Sequence, residues 1–151
     1  MASGNYINAS FISAPSKNYF IATQGPLATT ILDFWEMVIQ YNVSMIVMLC
    51  ELTEGGREKC SFYWNEDLLK ENGIDLTVDQ KKVNDCLIVR EFNYKKGSIK
   101  RKVTQLHFIG WPDHGAPSID RVFGTFTKMI EYAIEEKKVN PSPVVVHCSA
   151  G

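Results

Sequence analysis

The chain has no apolar run longer than residues 45–50, far short of the roughly 20 residues that a membrane-spanning helix needs. No charged-then-apolar leader opens it, and Met1-Ala2 does not match the Met-Gly start of a myristoylated protein. Charge of either sign is scarcely in excess. Sixteen Lys and Arg stand against 17 Asp and Glu, a formal net charge of −1. No basic footprint therefore argues for nucleic acid or an anionic membrane surface. An acidic or phosphorylated substrate would have to be captured by local groups. The four cysteines (Cys50, Cys60, Cys86 and Cys148) show no Cys-x-x-Cys spacing. Without an export signal they read as reduced thiols in a cytoplasmic compartment. Internal repeats, low-complexity tracts and linkers are also missing. The triplet Asn42-Val43-Ser44 abuts an apolar run and reads as a chance match to a glycosylation site.

What is present is an ordinary globular composition, 45% hydrophobic and 22% charged over 151 residues, enough for one domain. Residues 6–12 and 19–22 read as short strands around an Ala14-Pro15-Ser16 turn. A helix follows, with Ile31, Phe34, Trp35, Val38 and Ile39 on one face. Thr30 and Asp33 suggest a capping box at its start, although Glu or Gln is usual at the second position. Residues 45–49 fit a strand buried on both sides, and 51–59 a polar loop. Further strands are expected at 86–92 and 100–109, joined through Lys95-Lys96-Gly97-Ser98. A loop over 110–117 and a second long helix from Ser118 lead through Asn140-Pro141-Ser142-Pro143 to the last strand. The pattern predicts an α/β domain, a mixed sheet with helices packed on it.

The chemistry concentrates at the end, where Pro143-Val144-Val145-Val146-His147-Cys148-Ser149-Ala150-Gly151 delivers a thiol into small residues. A Cys-led loop of small residues sets a thiolate beside backbone N–H groups, which also cradle anions. That pairing suits a cysteine nucleophile acting on a phosphate. On these residues alone, a buried strand ending in a packing cysteine competes with it. Adjacent strand residues face opposite ways, so His147 cannot serve Cys148 as a dyad base; it would orient the loop from behind. A phenolate leaving group, with a conjugate acid near pKa 10, needs a proton. Asp113 is a candidate donor within Trp111-Pro112-Asp113-His114-Gly115, where aromatic, Gly and Pro neighbours suit a mobile lid. Turn capping is the competing role for such an Asp.

Further segments extend the pattern along the chain: Asn5-Tyr6-Ile7-Asn8-Ala9-Ser10, Tyr19-Phe20-Ile21-Ala22-Thr23-Gln24-Gly25-Pro26-Leu27, Asp33-Phe34-Trp35-Glu36-Met37-Val38, and Ile46-Val47-Met48-Leu49. Glu54 with Arg57-Glu58-Lys59-Cys60, Tyr63-Trp64 and Gln105-Leu106-His107-Phe108 follow before the two motifs above. In this order they resemble the catalytic domain of the tyrosine-specific, Cys-dependent protein phosphatases. The resemblance implies a mixed, highly twisted β-sheet flanked by α-helices, truncated at both ends. Residues 1–151 would form a partial catalytic domain that stops inside the phosphate-binding loop. It implies hydrolysis of phosphotyrosine on proteins through a phosphocysteine on Cys148, with Asp113 as general acid and then base. His147, Ser149, Ala150 and Gly151 match the phosphate loop. Glu54 matches the acid that braces the phosphate-binding arginine, Lys59 the lysine near the lid and Trp111 the lid hinge. Tyr6, Gln24 and Trp35 match scaffold positions.

The resemblance implies no metal and no organic cofactor. Its partners are phosphotyrosine-containing proteins, not nucleic acid, with no membrane segment in this chain and a cytoplasmic setting (or the cytoplasmic portion of a receptor). The family's loop arginine, the helix behind it and its water-positioning glutamine have no counterpart in these residues, so the fragment is expected to be inactive alone. Asn5 and Asn65 replace residues common in the family outside the chemistry. The alternative is a dead phosphatase-like domain that binds phosphotyrosine or a partner. Such domains usually lose the Asp or Cys that this chain keeps. A dual-specificity or lipid phosphatase would share only the cysteine loop.

Overall fold

The computed structural model describes residues 9–13, 19–109, 135 and 142–148. The expected loop at 110–117, most of the second long helix, and Trp111, Asp113 and 149–151 lie outside them. In chain order the elements are β1 (Ala9–Ser13), β2 (Tyr19–Thr23), α1 (Ile31–Gln40), β3 (Met45–Met48), β4 (Thr53–Glu54), β5 (Arg57–Glu58), α2 (Glu66–Glu71), β6 (Asp75–Asn84), β7 (Leu87–Lys96), β8 (Ile99–Phe108) and β9 (Val144–His147).

Seven of these strands form one sheet in the order β1-β2-β9-β3-β8-β7-β6. Its centre is parallel, β2, β9, β3 and β8 running side by side. Its flanks are antiparallel. The mixed α/β sheet predicted from the pattern is present. β9 is an interior strand with Val145 paired to Ile21 on one side and Ile46 on the other. Its Val144 and Val145 are fully buried, as expected of an apolar run covered on both faces.

Alternation along the strands divides the interior in two. One face gathers Ile46, Met48, Phe92, Tyr94, Val103 and Val145 under α1. The opposite face gathers Met45, Cys86, Leu87, Leu106, Phe108 and Val144. α1 presents Ile31, Phe34, Trp35 and Val38 to the first face, the stripe its periodicity predicts. After Tyr41, Asn42 takes φ 53°, a left-handed conformation that Asn tolerates, and the Val43 N–H returns to the Val38 carbonyl at 2.9 Å.

Three local readings change. Thr30 is the N-cap but forms no capping bond to the helix. Its Oγ1 instead accepts from the Leu27 N–H at 2.8 Å, closing the turn before α1, and Asp33 is buried. Residues 51–59 are not a bare loop but contain the β4–β5 hairpin, whose Gly55 and Gly56 both have positive φ (58° and 75°). That conformation is the demand of a tight two-residue turn. Finally, α2 and β6 were not expected; β6 is an edge strand of the sheet.

Candidate active site

β9 ends with His147 buried and Cys148 exposed, the opposed orientation that strand geometry dictates. The imidazole reaches back along the chain: Nδ1 lies 3.1 Å from the Cys148 carbonyl oxygen. A carbonyl only accepts, so Nδ1 carries the hydrogen and Nε2 is left as an acceptor. At 2.9 Å from Nε2 stands the Tyr63 hydroxyl, which donates.

From there the bonding order is fixed by what each group can do. Gln105 Nε2 donates to Tyr63 Oη at 2.7 Å, and Gln105 Oε1 accepts from Arg90 Nη1 at 2.7 Å. The same Arg90 Nη1 donates to His107 Nδ1 at 2.8 Å, so His107 holds its hydrogen on Nε2 and gives it to the Cys50 carbonyl at 2.7 Å. The result is one directional network: Arg90 to Gln105 to Tyr63 to His147 to the Cys148 carbonyl, with a branch through His107 to Cys50. All five of these side chains are buried.

Register explains why they meet. Arg90 pairs with Gln105 across β7 and β8, His107 lies two residues on along the same face, and Met48 sits between His107 and His147 on β3. All belong to the α1 face of the sheet. The helix supplies the roof: Trp35 Nε1 donates to the Tyr63 carbonyl at 2.8 Å. The Phe34 ring lies 4.5 Å from Tyr63 and 5.9 Å from His147.

The electrostatics agree with the donor assignments. Burial foremost, with the neighbouring Cys60 thiol, holds the Tyr63 hydroxyl well above its ordinary range, so it stays a donor. Burial, then the Arg90 charge, pushes His107 down from 6.5 to about 4, leaving a neutral ring that accepts from Arg90. Burial also lowers Arg90. Its described partners are all uncharged: Gln80 Oε1 at 2.8 Å, Gln105, His107 and the Trp64 face, 4.5 Å from the ring centroid. A buried cation solvated by neutral dipoles is costly unless every donor is used. Here those dipoles form a chain that ends at the Cys148 carbonyl.

The β4–β5 hairpin carries two more of the candidate residues. It is rooted beside His147, because the thiols of Cys50 and Cys60, which flank it, lie within 4.8 Å of a His147 ring nitrogen. Glu54 pairs with Arg57 in the hairpin. Lys59, half-buried, follows it, with its N–H bonded to the Leu52 carbonyl at 2.8 Å. The structure thus gathers His147, Cys148 and the root of the Glu54–Lys59 hairpin. Trp111, Asp113, Ser149, Ala150 and Gly151 fall outside the described residues. Sequence reading gave no role to Tyr63, Arg90, Gln105 or His107. Their available signal was polar residues at alternate positions of otherwise apolar strands, Arg90 in Leu-Ile-Val-Arg-Glu-Phe and Gln105 with His107 in β8.

Comparison with known proteins accords with this fold. A family model described as protein-tyrosine phosphatase matches residues 1–151. The chain belongs to the protein-tyrosine phosphatase family. It is 40% identical to the mouse tyrosine-protein phosphatase non-receptor type 18 over 98% of its own length and 33% of the relative's. It is also 40% identical to the human receptor-type tyrosine-protein phosphatase alpha, over 97% of its length and 19% of the relative's. The solved catalytic domain of the human non-receptor type 18 phosphatase superimposes with a TM-score of 0.86 at 35% identity. That match covers 99% of this chain and 54% of the solved one. A structure of PTPN18 in complex with HER2 phosphopeptides matches with a TM-score of 0.82 at 36% identity, over 97% of this chain and 51% of that one. The chain therefore spans a third or less of these curated relatives and about half of the solved domains.

Proposed function

We propose that this chain contributes the nucleophile and the lid acid of a protein-tyrosine phosphatase that hydrolyses phosphotyrosine on proteins. The observation that carries the reading is the exposed thiol of Cys148 at the end of an interior strand, its own carbonyl held from beneath by His147. In this reading the N–H groups that follow Cys148 would serve as the anion cradle. The membership of the family and the phosphopeptides bound by PTPN18 support the substrate class.

In the proposed cycle the Cys148 sulfur forms a bond to phosphorus while the bond to the tyrosyl oxygen breaks. Asp113 gives its proton to the departing phenolate. The carboxylate then takes a proton from the water that attacks the sulfur–phosphorus bond, releasing phosphate and restoring the thiolate. Ser149, Ala150 and Gly151 supply the first N–H groups of the cradle, Trp111 carries the lid, and Glu54 and Lys59 stand on the neighbouring hairpin. The buried thiols take no part. The Cys60 proton is held tightly by its bond to Cys50 and by burial.

The test is a catalytic domain in which residues 1–151 are completed with the remainder of the human relative's domain. Cys148→Ser should abolish turnover of a phosphotyrosine peptide and keep its binding. Asp113→Ala should lower kcat by about 10²–10⁴-fold, less for esters whose leaving group is already acidic. Full activity of the serine variant refutes the nucleophile, and binding without turnover in the unmutated domain favours a phosphotyrosine-binding module.

A further inference from the structure

Beneath Cys148 three donor atoms converge that the proposed hydrolysis does not use as ligands. The sulfurs of Cys50 and Cys60 and a ring nitrogen of His147 lie within 4.8 Å of one another, and all three residues are buried. Each is anchored separately. Cys50 follows β3, its carbonyl held by His107 Nε2. Cys60 follows β5, its N–H directed to the Leu52 carbonyl at 3.3 Å. His147 ends β9, its carbonyl bonded to the Leu49 N–H at 2.9 Å. Gly25 closes the space from the side: a methyl group there would stand 2.9 Å from Cys60 Sγ.

We propose that Cys50, Cys60 and His147 form a binding site for a thiophilic closed-shell cation, Cu(I) or Zn²⁺, linked to the Cys148 loop through His147. Two thiolates and an imidazole select soft or borderline cations over Mg²⁺ and Ca²⁺. Bonds of about 2.0–2.3 Å set the donors of a three-coordinate centre roughly 4 Å apart, close to the 4.8 Å within which these donor atoms lie. Binding displaces one proton from each thiol to solvent. Zn²⁺ with two thiolates and a neutral imidazole leaves no net charge in the core. Cu(I) leaves one negative charge, which the Arg90 cation on the same face of the sheet offsets.

The consequence reaches Cys148. Both ring nitrogens of His147 are engaged, one by Tyr63 and the other by the Cys148 carbonyl. Ligation takes one of them, so an occupied site uncouples the Cys148 carbonyl from the Arg90 network. The site would report metal status to the nucleophile without touching substrate.

Residues 1–151 are titrated with Co²⁺ as a probe for Zn²⁺, and separately with Cu(I) against bicinchoninate as a competing chelator. Expected are a thiolate-to-cobalt charge-transfer band saturating at one equivalent, or one Cu(I) withheld from the chelator, with about two protons released. Cys50→Ser or Cys60→Ser should weaken binding by about a hundredfold or more, and Cys86→Ser should not. Cys148 is exposed, so Cys148→Ser leaves the core packing untouched and decides the matter even if the core variants fail to fold. Binding kept in that variant supports the buried site, and binding lost with it places the metal on the exposed thiol and overturns the proposal. So does the absence of stoichiometric binding to the unmutated chain.

Discussion

Cys148 could be picked out from its neighbours because the signal is local: an apolar run, one thiol, then small residues. The groups that hold it could not. Tyr63 and His147 are 84 positions apart and Arg90 and Gln105 are 15, so their meeting depends on strand order, which no single stretch of sequence encodes. Among these hidden groups His107 makes the clearest prediction. Its ring sits at about 4 when folded and near 6.5 when unfolded, so between those values the unfolded chain binds the extra proton. Stability therefore falls as pH drops through this window. Between pH 6.5 and pH 5 the loss from this group is about 1.5 kcal/mol. His107→Gln keeps an acceptor for Arg90 and a donor for the Cys50 carbonyl but cannot titrate. Denaturant unfolding at the two pH values should show the variant less pH-sensitive by that amount. An unchanged slope would mean that His107 is not held neutral by Arg90 and burial.

At the scale of elements, what could be read were the segments whose burial leaves a pattern. β3 and β9 are short β-branched or apolar runs because both faces are covered. α1 shows its stripe because only one face is. β7 runs on to Lys96, past its predicted end at residue 92, because polar Asn93 and Lys95 around buried Tyr94 dilute the apolar signal, whereas β8 lies within about one residue of its predicted bounds. β6 left little trace: as an edge strand it sends Leu76, Val78 and Val83 inward, to opposite faces of the sheet, and its Lys81 and Lys82 are exposed, charges that suit an unpaired edge. α2, six residues long, is shorter than the pattern needs and is marked only by Asn65, whose Oδ1 accepts from the Leu68 N–H at 3.2 Å. Connections also matter at this scale. The segment between β2 and α1 passes so close to the end of β9 that a methyl group on Gly25 would lie 2.6 Å from the Cys148 carbonyl oxygen. Neither backbone can yield without moving the strand end. Gly25→Ala should thus destabilise the fold by about 1–3 kcal/mol and slow alkylation of Cys148 by iodoacetamide. Wild-type values for both would show that the connection has slack.

For the molecule as a whole, the division of labour across the sheet decides what residues 1–151 can do alone. The described half builds the foundation: a buried cation, a run of dipoles and an interior strand that aims Cys148 outward. What grips a phosphate dianion is a different matter. Past Cys148, residues 1–151 include Ser149, Ala150 and Gly151, and they cover 54% of the solved human domain that they resemble. By the family resemblance the loop arginine and the helix behind the loop would lie in the remainder. An arginine grips phosphate through forked, charge-assisted bonds, worth roughly 1.5–3 kcal/mol each. Removing one preorganised stabiliser of developing charge costs about 10²–10³ in rate. Residues 1–151 should accordingly turn over a phosphotyrosine peptide at least a hundredfold more slowly than the human domain assayed beside them. The Cys148 thiol should still be alkylated, because it is exposed at the end of β9. Turnover within tenfold of the human domain would place the phosphate-binding energy within residues 1–151 instead of in the remainder of the domain.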